Sequence, residues 1–166
     1  MKRFPTIAVL LLALFIAAPV LAKTAHLYLW KRDPNAYGSC GNCSQYLSFT
    51  ENQDRTNLSD YPQAHQTGYF YFHLDGPPGA TVTLFGLPDF ASQQGYLIVV
   101  KKDHRQILVP DLEAYSPEQW VDVPEVEGEA GGFAVYYKPS ANFKNNVSSV
   151  KWGKWWDAAQ VPTPTH

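Results

Sequence analysis

Apolar side chains in this sequence come in short runs, rich in β-branched and aromatic residues, separated by Gly, Pro, Asn and Asp about every ten residues. This spacing is typical of an all-β sandwich or barrel, in which short strands follow one another through tight turns. The pattern predicts strands at residues 26–31, 45–50, 68–74, 80–85, 95–101, 106–109, 119–123, 132–138 and 147–152. We therefore predict a single-domain antiparallel β-sandwich or Greek-key barrel with at most one short helical turn.

Two segments with strong turn chemistry separate neighbouring predicted strands. Asp75-Gly76-Pro77-Pro78-Gly79 places two prolines of fixed φ between flexible glycines, and residues 102–105 are polar throughout. Both segments are predicted to be the tips of β-hairpins. The helical turn is predicted at Ser116-Pro117-Glu118, where an N-cap hydroxyl precedes a proline at the first helical position.

The first 22 residues have the pattern of a secretory signal peptide. Lys2 and Arg3 precede an uncharged run at 7–18 that is too short to span a bilayer. Val20 and Ala22 then occupy the small-residue positions that signal peptidase recognises, so the mature chain is predicted to begin at Lys23. The protein is therefore expected to be secreted or periplasmic, with no membrane span after signal cleavage.

Without its first 22 residues the chain of 166 keeps 144, a length that fits one domain. We predict a β-sandwich domain at 23–160 and a disordered tail at 161–166, because the sequence Val-Pro-Thr-Pro-Thr-His offers few side chains to bury. Two of the 13 basic residues leave with the signal peptide, so 11 remain against 15 acidic ones, a net charge of −4 with His neutral. This balance argues against nucleic acid as a partner.

The chain has two cysteines, Cys40 and Cys43, separated by Gly41 and Asn42. In an oxidising compartment they are predicted to form a disulfide with each other, which would fix a local turn and contribute on the order of 2 kcal/mol in the chain-entropy model. A redox site is the first alternative, although such sites begin a helix in an α/β setting. A metal site is the second, and it would need two further ligands.

Aromatic residues supply the candidate contact surfaces. Strand alternation at 68–73 places Tyr69, Tyr71 and His73 on one face, and three tryptophans follow near the end of the chain. Such side chains stack on sugar rings or dock against a protein, and the alternative is that they close the open end of the sandwich core. The candidate binding residues are Tyr69, Tyr71, Trp152, Trp155 and Trp156.

No catalytic motif stands out in the sequence, which lacks a Gly-x-Ser-x-Gly elbow, histidines paired one helical turn apart, and a phosphate-binding glycine loop. The sequence therefore predicts recognition without catalysis or cofactor, with an extracellular or envelope protein or carbohydrate as the partner. An inhibitor-like domain is one form of this function. The alternative is a secreted metal-dependent protein or enzyme: cleavage after Ala25 would make His26 the first residue, where its amine and ring could bind copper together.

One stretch resembles the βγ-crystallin Greek-key family. Thr81-Val82-Thr83-Leu84-Phe85, followed by Pro88-Asp89-Phe90, resembles the opening strand of that Greek key, and residues 143–150, Phe-Lys-Asn-Asn-Val-Ser-Ser-Val, are similar to its calcium-loop signature. The resemblance covers 81–152 at most and implies that Asn145 and Ser149 lie where the family binds Ca²⁺. Two residues depart from the pattern: Lys144 stands at the first acid or amide position, and Ser92 stands where a glycine is expected.

Overall fold

The structure, a computed structural model, describes residues 23–32 and 46–162. Three of the sequence predictions fall elsewhere in the chain. The signal peptide at 1–22, the pair Cys40 and Cys43, and the tail from 163 to 166 all lie outside the described residues.

The described chain folds into two antiparallel sheets, so the predicted all-β sandwich is confirmed. Its strands are β1 (His26–Arg32), β2 (Leu47–Thr50), β3 (Tyr69–Asp75), β4 (Thr81–Phe85), β5 (Tyr96–Lys101), β6 (Ile107–Val109), β7 (Trp120–Val123), β8 (Phe133–Lys138) and β9 (Ser149–Trp152). The four-stranded sheet has the order β2-β1-β3-β6, and the five-stranded sheet has the order β7-β8-β5-β4-β9. Each predicted strand is present, with its ends moved by one or two residues.

The main core lies between the two sheets and is built from alternate residues of each strand, as a period of two requires. The four-stranded sheet contributes Leu27, Leu29, Phe70, Phe72 and Leu74, and the five-stranded sheet contributes Val82, Leu84, Leu97, Val99 and Val135. All of these side chains are buried. Full burial of one such side chain stabilises a fold by roughly 1.5–3 kcal/mol, so this layer holds the sheets together.

The two predicted hairpins are wrong, because both turns carry the chain from one sheet to the other. Residues 76–80 connect β3 of the four-stranded sheet to β4 of the five-stranded sheet, and residues 102–106 connect β5 back to β6. Turn chemistry reverses the chain direction, but it does not decide which strand the next segment pairs with. Here β3 pairs with β1 and β6, and β4 pairs with β5 and β9.

Lys101 and Asp103 fix the second of these connections. The Lys101 side chain is 2 % exposed, and its ammonium donates to the carbonyl oxygens of Leu74 and Arg105. Burial lowers the pKa of Lys101 below its usual value. Asp103 accepts hydrogen bonds from the backbone N–H groups of Arg105 at 2.8 Å and Gly132 at 2.7 Å. Desolvation raises the pKa of this carboxyl. The two hydrogen bonds and the nearby cations together have the larger, opposite effect, so the pKa lies below its normal value.

The helical turn predicted at Ser116-Pro117-Glu118 is wrong. Glu118 has a left-handed backbone with φ of 56°, and its N–H donates to the Tyr137 carbonyl of β8 instead of a helical partner. The described chain instead forms four short 3₁₀ turns, at Leu58–Asp60, Pro62–His65, Pro88–Phe90 and Phe143–Asn145. No helix in this part of the chain is long and apolar enough to cross a membrane.

Residues 153–162 form a C-terminal strap over the outer face of the five-stranded sheet. Trp155 donates its indole N–H to the Thr83 hydroxyl at 2.8 Å, and Trp156 packs in the cluster that covers this face. The side chain of Val161 is fully buried there, and the Pro162 carbonyl accepts from the Trp120 indole. The predicted tail boundary is therefore corrected, because the chain remains packed beyond residue 160.

Candidate binding face

Strand alternation places a row of aromatic rings on the outer face of the four-stranded sheet. On β1, His26, Tyr28 and Trp30 alternate with the buried Leu27 and Leu29, so their rings point away from the core. The same alternation on β3 turns Tyr71 and His73 outward, and Tyr46 precedes β2 on the same side. We call this set the aromatic face: His26, Tyr28, Trp30, Tyr46, Tyr71 and His73.

The register of the two central strands brings these rings into contact. Tyr28 pairs with His73 across β1 and β3, and Trp30 pairs with Tyr71. Directly opposed residues have Cβ atoms about 5 Å apart, which is close enough for their side chains to pack. The Trp30 and Tyr71 ring centroids are 5.5 Å apart and their planes differ by 12°.

Trp30 is the centre of the aromatic face. Its ring centroid is 4.8 Å from that of His73 and 5.3 Å from that of Tyr46. The Tyr28 centroid lies 6.1 Å away in the direction of the chain start, and His26 follows 6.3 Å beyond Tyr28. Trp30 therefore contacts four of the other five rings, and the face extends from it along β1.

Two of the three strongly exposed large hydrophobic side chains among the described residues lie on this face or at its border. The three are Tyr46 at 43 %, Leu108 at 41 % and Val126 at 49 %. Tyr46 belongs to the aromatic face, and Leu108 of β6 pairs with His73 of β3 and so lies at its border. Large apolar groups that cluster at one exposed place mark an interaction site more often than single ones do.

His73 adds a fixed hydrogen-bonding group to the aromatic face. Its Nδ1 lies 3.2 Å from Oε1 of Gln106. In the tautomer that carries its proton on Nδ1, the imidazole donates to that oxygen and Nε2 is left as an acceptor. In that tautomer the Nε2 edge of the ring can bind a hydroxyl group of a ligand.

Charged residues stand at the two ends of the aromatic face, whose six side chains include no acid, lysine or arginine. Asp75, which pairs with His26, forms an ion pair with Lys23 at 2.7 Å, and Arg32 ends β1 two residues after Trp30. Desolvation raises the pKa of the Asp75 carboxyl, but hydrogen bonds from Lys23 and the Gly76 N–H lower it to below normal overall. Lys31 does not join the face, because its ammonium donates to the Ala64 carbonyl and lies over the ring of Phe70.

The residues predicted to bind a partner lie on different sides of the molecule. Tyr71 is part of the aromatic face, and Tyr69 lies further along β3 with the Lys144 ammonium 5.7 Å from its ring centroid. Trp152 is buried in the main core. Trp155 and Trp156 belong to the C-terminal strap on the opposite sheet. The structure therefore brings Tyr71 together with Trp30 and not with the three later tryptophans.

The two residues that the family resemblance implies for calcium binding differ in their exposure to solvent. Asn145 is exposed at the end of a 3₁₀ turn, whereas Ser149 is fully buried. The Ser149 hydroxyl donates to the Leu87 carbonyl at 2.7 Å and accepts from the Phe90 N–H at 3.2 Å. Within residues 23–32 and 46–162, no group of three or more His, Cys, Asp or Glu side chains could hold a metal ion.

A groove on another part of the surface is lined by charged residues that already have partners. Lys102 and Asp122 form an ion pair at 2.6 Å across it, and Glu125 pairs with Arg105 at 3.5 Å. Asp103, in the wall of the groove, accepts hydrogen bonds from two backbone N–H groups. These side chains are therefore used to join neighbouring segments of the chain, and the aromatic face is the stronger candidate for a functional site.

Comparison of the chain with protein-family models, with curated proteins and with solved structures finds no match. The geometry of the aromatic face is therefore the main evidence on function.

Proposed function

We propose that this protein is an exported, non-catalytic recognition domain that binds carbohydrate with its aromatic face. The observation that carries the proposal is the contiguous set of six rings on one sheet face, with neighbouring centroids 4.8 to 6.3 Å apart. Aromatic rings offer flat apolar surfaces that match the C–H faces of sugars. The hydroxyl and N–H groups at their edges bond to sugar hydroxyls.

The composition of the face favours a carbohydrate over a protein partner. Protein–protein contacts are enriched in Arg and Met as well as aromatic residues, and their centres are apolar. The six side chains here are Trp, Tyr and His, each with a polar edge, and Leu108 adds an aliphatic group at the border. A surface that is aromatic and polar at its ring edges suits a ligand that is itself amphipathic and rich in hydroxyls.

The carboxylates near the face support binding without hydrolysis. Most glycoside hydrolases place two carboxyl groups on either side of the bond that they cleave. Among the described outward positions of β1 and β3, Asp75 is the one carboxylate, and Lys23 and the Gly76 N–H hold it in place. The proposed role is therefore recognition, in agreement with the absence of catalytic motifs from the sequence.

Export is part of the proposal, and the folded domain supports a mature chain that begins at Lys23. Ala25 is fully buried, and its N–H donates to the Glu51 carboxylate at 3.1 Å. Lys23 forms the ion pair with Asp75. Cleavage after Ala25 would remove both residues from the fold, so we favour the earlier cleavage site over the one that would free His26 for copper.

The proposal is tested by replacing one tryptophan on each sheet. Trp30→Ala removes the centre of the aromatic face, whereas Trp155→Ala removes a partly buried tryptophan from the opposite side. Truncation of a central aromatic contact costs about 2 kcal/mol of binding free energy, so Trp30→Ala should weaken binding more than tenfold. Trp155→Ala should leave the affinity unchanged at a temperature where both variants are folded.

Sedimentation with insoluble cellulose, chitin, xylan and mannan measures the outcome, with circular dichroism to establish that each variant is folded. Retention of wild type and Trp155→Ala, with loss of Trp30→Ala, supports the proposal. Retention of Trp30→Ala at the level of wild type contradicts it. Failure of the wild-type protein to bind any carbohydrate, together with capture of a protein partner that Trp30→Ala loses, would assign the face to protein recognition instead.

A further inference from the structure

We infer that the ligand is an uncharged glycan chain of several sugar residues that lies along β1. This inference rests on the proposed function, and it goes beyond it by stating the length, direction and charge of the ligand. It is carried by the shape of the aromatic face and by the charges around it.

The aromatic face is longer along β1 than a single sugar ring requires. His26 and Trp30 are four residues apart on one extended strand, which corresponds to about 13 Å. The Tyr28 ring lies between them, with centroid distances of 6.3 Å to His26 and 6.1 Å to Trp30. Three rings in a row therefore provide successive contacts for a chain, whereas a monosaccharide would contact one or two of them.

The two ends of this row differ in what surrounds them. At the Trp30 end, Tyr71 lies nearly parallel to the indole, and Tyr46 and His73 flank it on the β2 and β3 sides. At the other end, His26 and Tyr28 are nearly parallel, with an angle of 21° between their planes. Trp30 with Tyr71 thus forms the main sugar contact, and His26 forms an extension that only a longer chain reaches.

The charges of the site favour an uncharged chain. An anionic glycan needs lysine or arginine to pair with its acid groups. Lys23, at the His26 end, is already paired with Asp75, and Lys31 is directed to the Ala64 carbonyl. Arg32 stands at the other end of β1, beyond Trp30, where its register partner is Tyr69. The mature domain also has a formal net charge of −4, since it keeps 11 basic and 15 acidic residues after the predicted cleavage. That net charge would repel a polyanion at low ionic strength.

A chain-length series tests the inference. Titration calorimetry is carried out on the full mature protein with cello-, xylo-, manno- and chito-oligosaccharides from disaccharide to hexasaccharide, and with oligogalacturonate as the anionic probe. For the uncharged series that binds best, affinity should rise severalfold with length and then level off. His26→Ala should remove the gain of the longer chains, so that the hexasaccharide binds this variant no more tightly than the disaccharide does. Oligogalacturonate should bind more weakly than the uncharged hexasaccharide.

Leu108→Ala is the matched control, because Leu108 lies at the border of the face on β6, away from the β1 row. If Leu108→Ala removes the length dependence and His26→Ala does not, the chain lies across the strands and the inference is wrong. Equal affinity at all lengths, or tighter binding of oligogalacturonate, also overturns it. These outcomes leave the proposed function intact as long as Trp30→Ala abolishes binding, whereas an unaffected Trp30→Ala variant removes both.

Discussion

Replacement of Trp156 by alanine is expected to destabilise the domain by about 3–5 kcal/mol, the range seen for buried tryptophan and phenylalanine truncations. The indole is 7 % exposed and lies in the cluster on the outer face of the five-stranded sheet. Its ring centroid is 6.0 Å from those of both Trp120 and Trp155. Its removal leaves a cavity under the C-terminal strap and exposes apolar surface of the sheet to water.

Lys154→Ala provides the control, because Lys154 belongs to the same strap and its side chain is exposed. Surface changes of this kind usually alter stability by less than about 0.5 kcal/mol. Urea unfolding followed by circular dichroism measures both variants. A loss for Trp156→Ala no larger than that of Lys154→Ala would show that the strap is not part of the cooperative fold.

Gly76→Ala is the second substitution with a large expected effect, a loss of about 3–4 kcal/mol. Gly76 begins the connection between the two sheets and has φ of 139°, a value that residues with a side chain rarely adopt. A Cβ at this position would lie 2.6 Å from the Cβ and 2.8 Å from the Cα of Ala25. Backbone strain of about 1–3 kcal/mol therefore adds to an overpacking cost of similar size.

Gly79→Ala separates these two contributions. Gly79 lies in the same connection and also has a positive φ, of 84°, but a Cβ there has no neighbour within 4 Å. This variant should be destabilised by the backbone strain alone, a loss of about 1 kcal/mol in the free energy of unfolding. Thermal unfolding of the two variants under one set of conditions gives the comparison. Equal losses would mean that close packing against Ala25 does not contribute to stability.

The strands could be predicted from the sequence because each has its own alternation of buried and outward residues. The segment from Tyr69 to Leu74 illustrates this, since its burial alternates at every residue. The pairing of the strands could not be predicted. The turns at 76–80 and 102–106 have hairpin chemistry, but they connect different sheets, because pairing depends on contacts between residues far apart in the chain.

The aromatic face can be predicted in part from the sequence. The alternation of β3 indicates that Tyr71 points outward, and the alternation in His26-Leu27-Tyr28-Leu29-Trp30 indicates the same for the rings of β1. The three tryptophans near the chain end were predicted to bind a partner because they lie close together in the sequence. Sequence composition does not tell whether a ring faces solvent or packs under a strap, and Trp152 and Trp156 are buried.

The two sheets use aromatic residues differently on their outer faces. On the five-stranded sheet, Trp155, Trp156 and Val161 of the strap pack over Phe85 and Tyr96, so the chain itself covers these rings. On the four-stranded sheet, Tyr46 and Leu108 each keep about 40 % of their surface exposed. The burial of the first face explains why its rings stabilise the fold, and the exposure of the second supports a role in binding.

The indole N–H resonances of the protein test the central claim most directly. The chain has five tryptophans, and Trp30 is the one on the aromatic face. Trp152 packs in the main core, and Trp120, Trp155 and Trp156 pack in the cluster between the strap and the five-stranded sheet. Two-dimensional ¹H–¹⁵N spectra are recorded during titration with the uncharged hexasaccharide that binds best, and the Trp30 resonance is assigned by its loss in Trp30→Phe. We expect the Trp30 resonance to shift with saturation while the other four remain in place. A shift of the Trp120 or Trp155 resonance with no change at Trp30 would place the ligand on the opposite sheet and contradict the account.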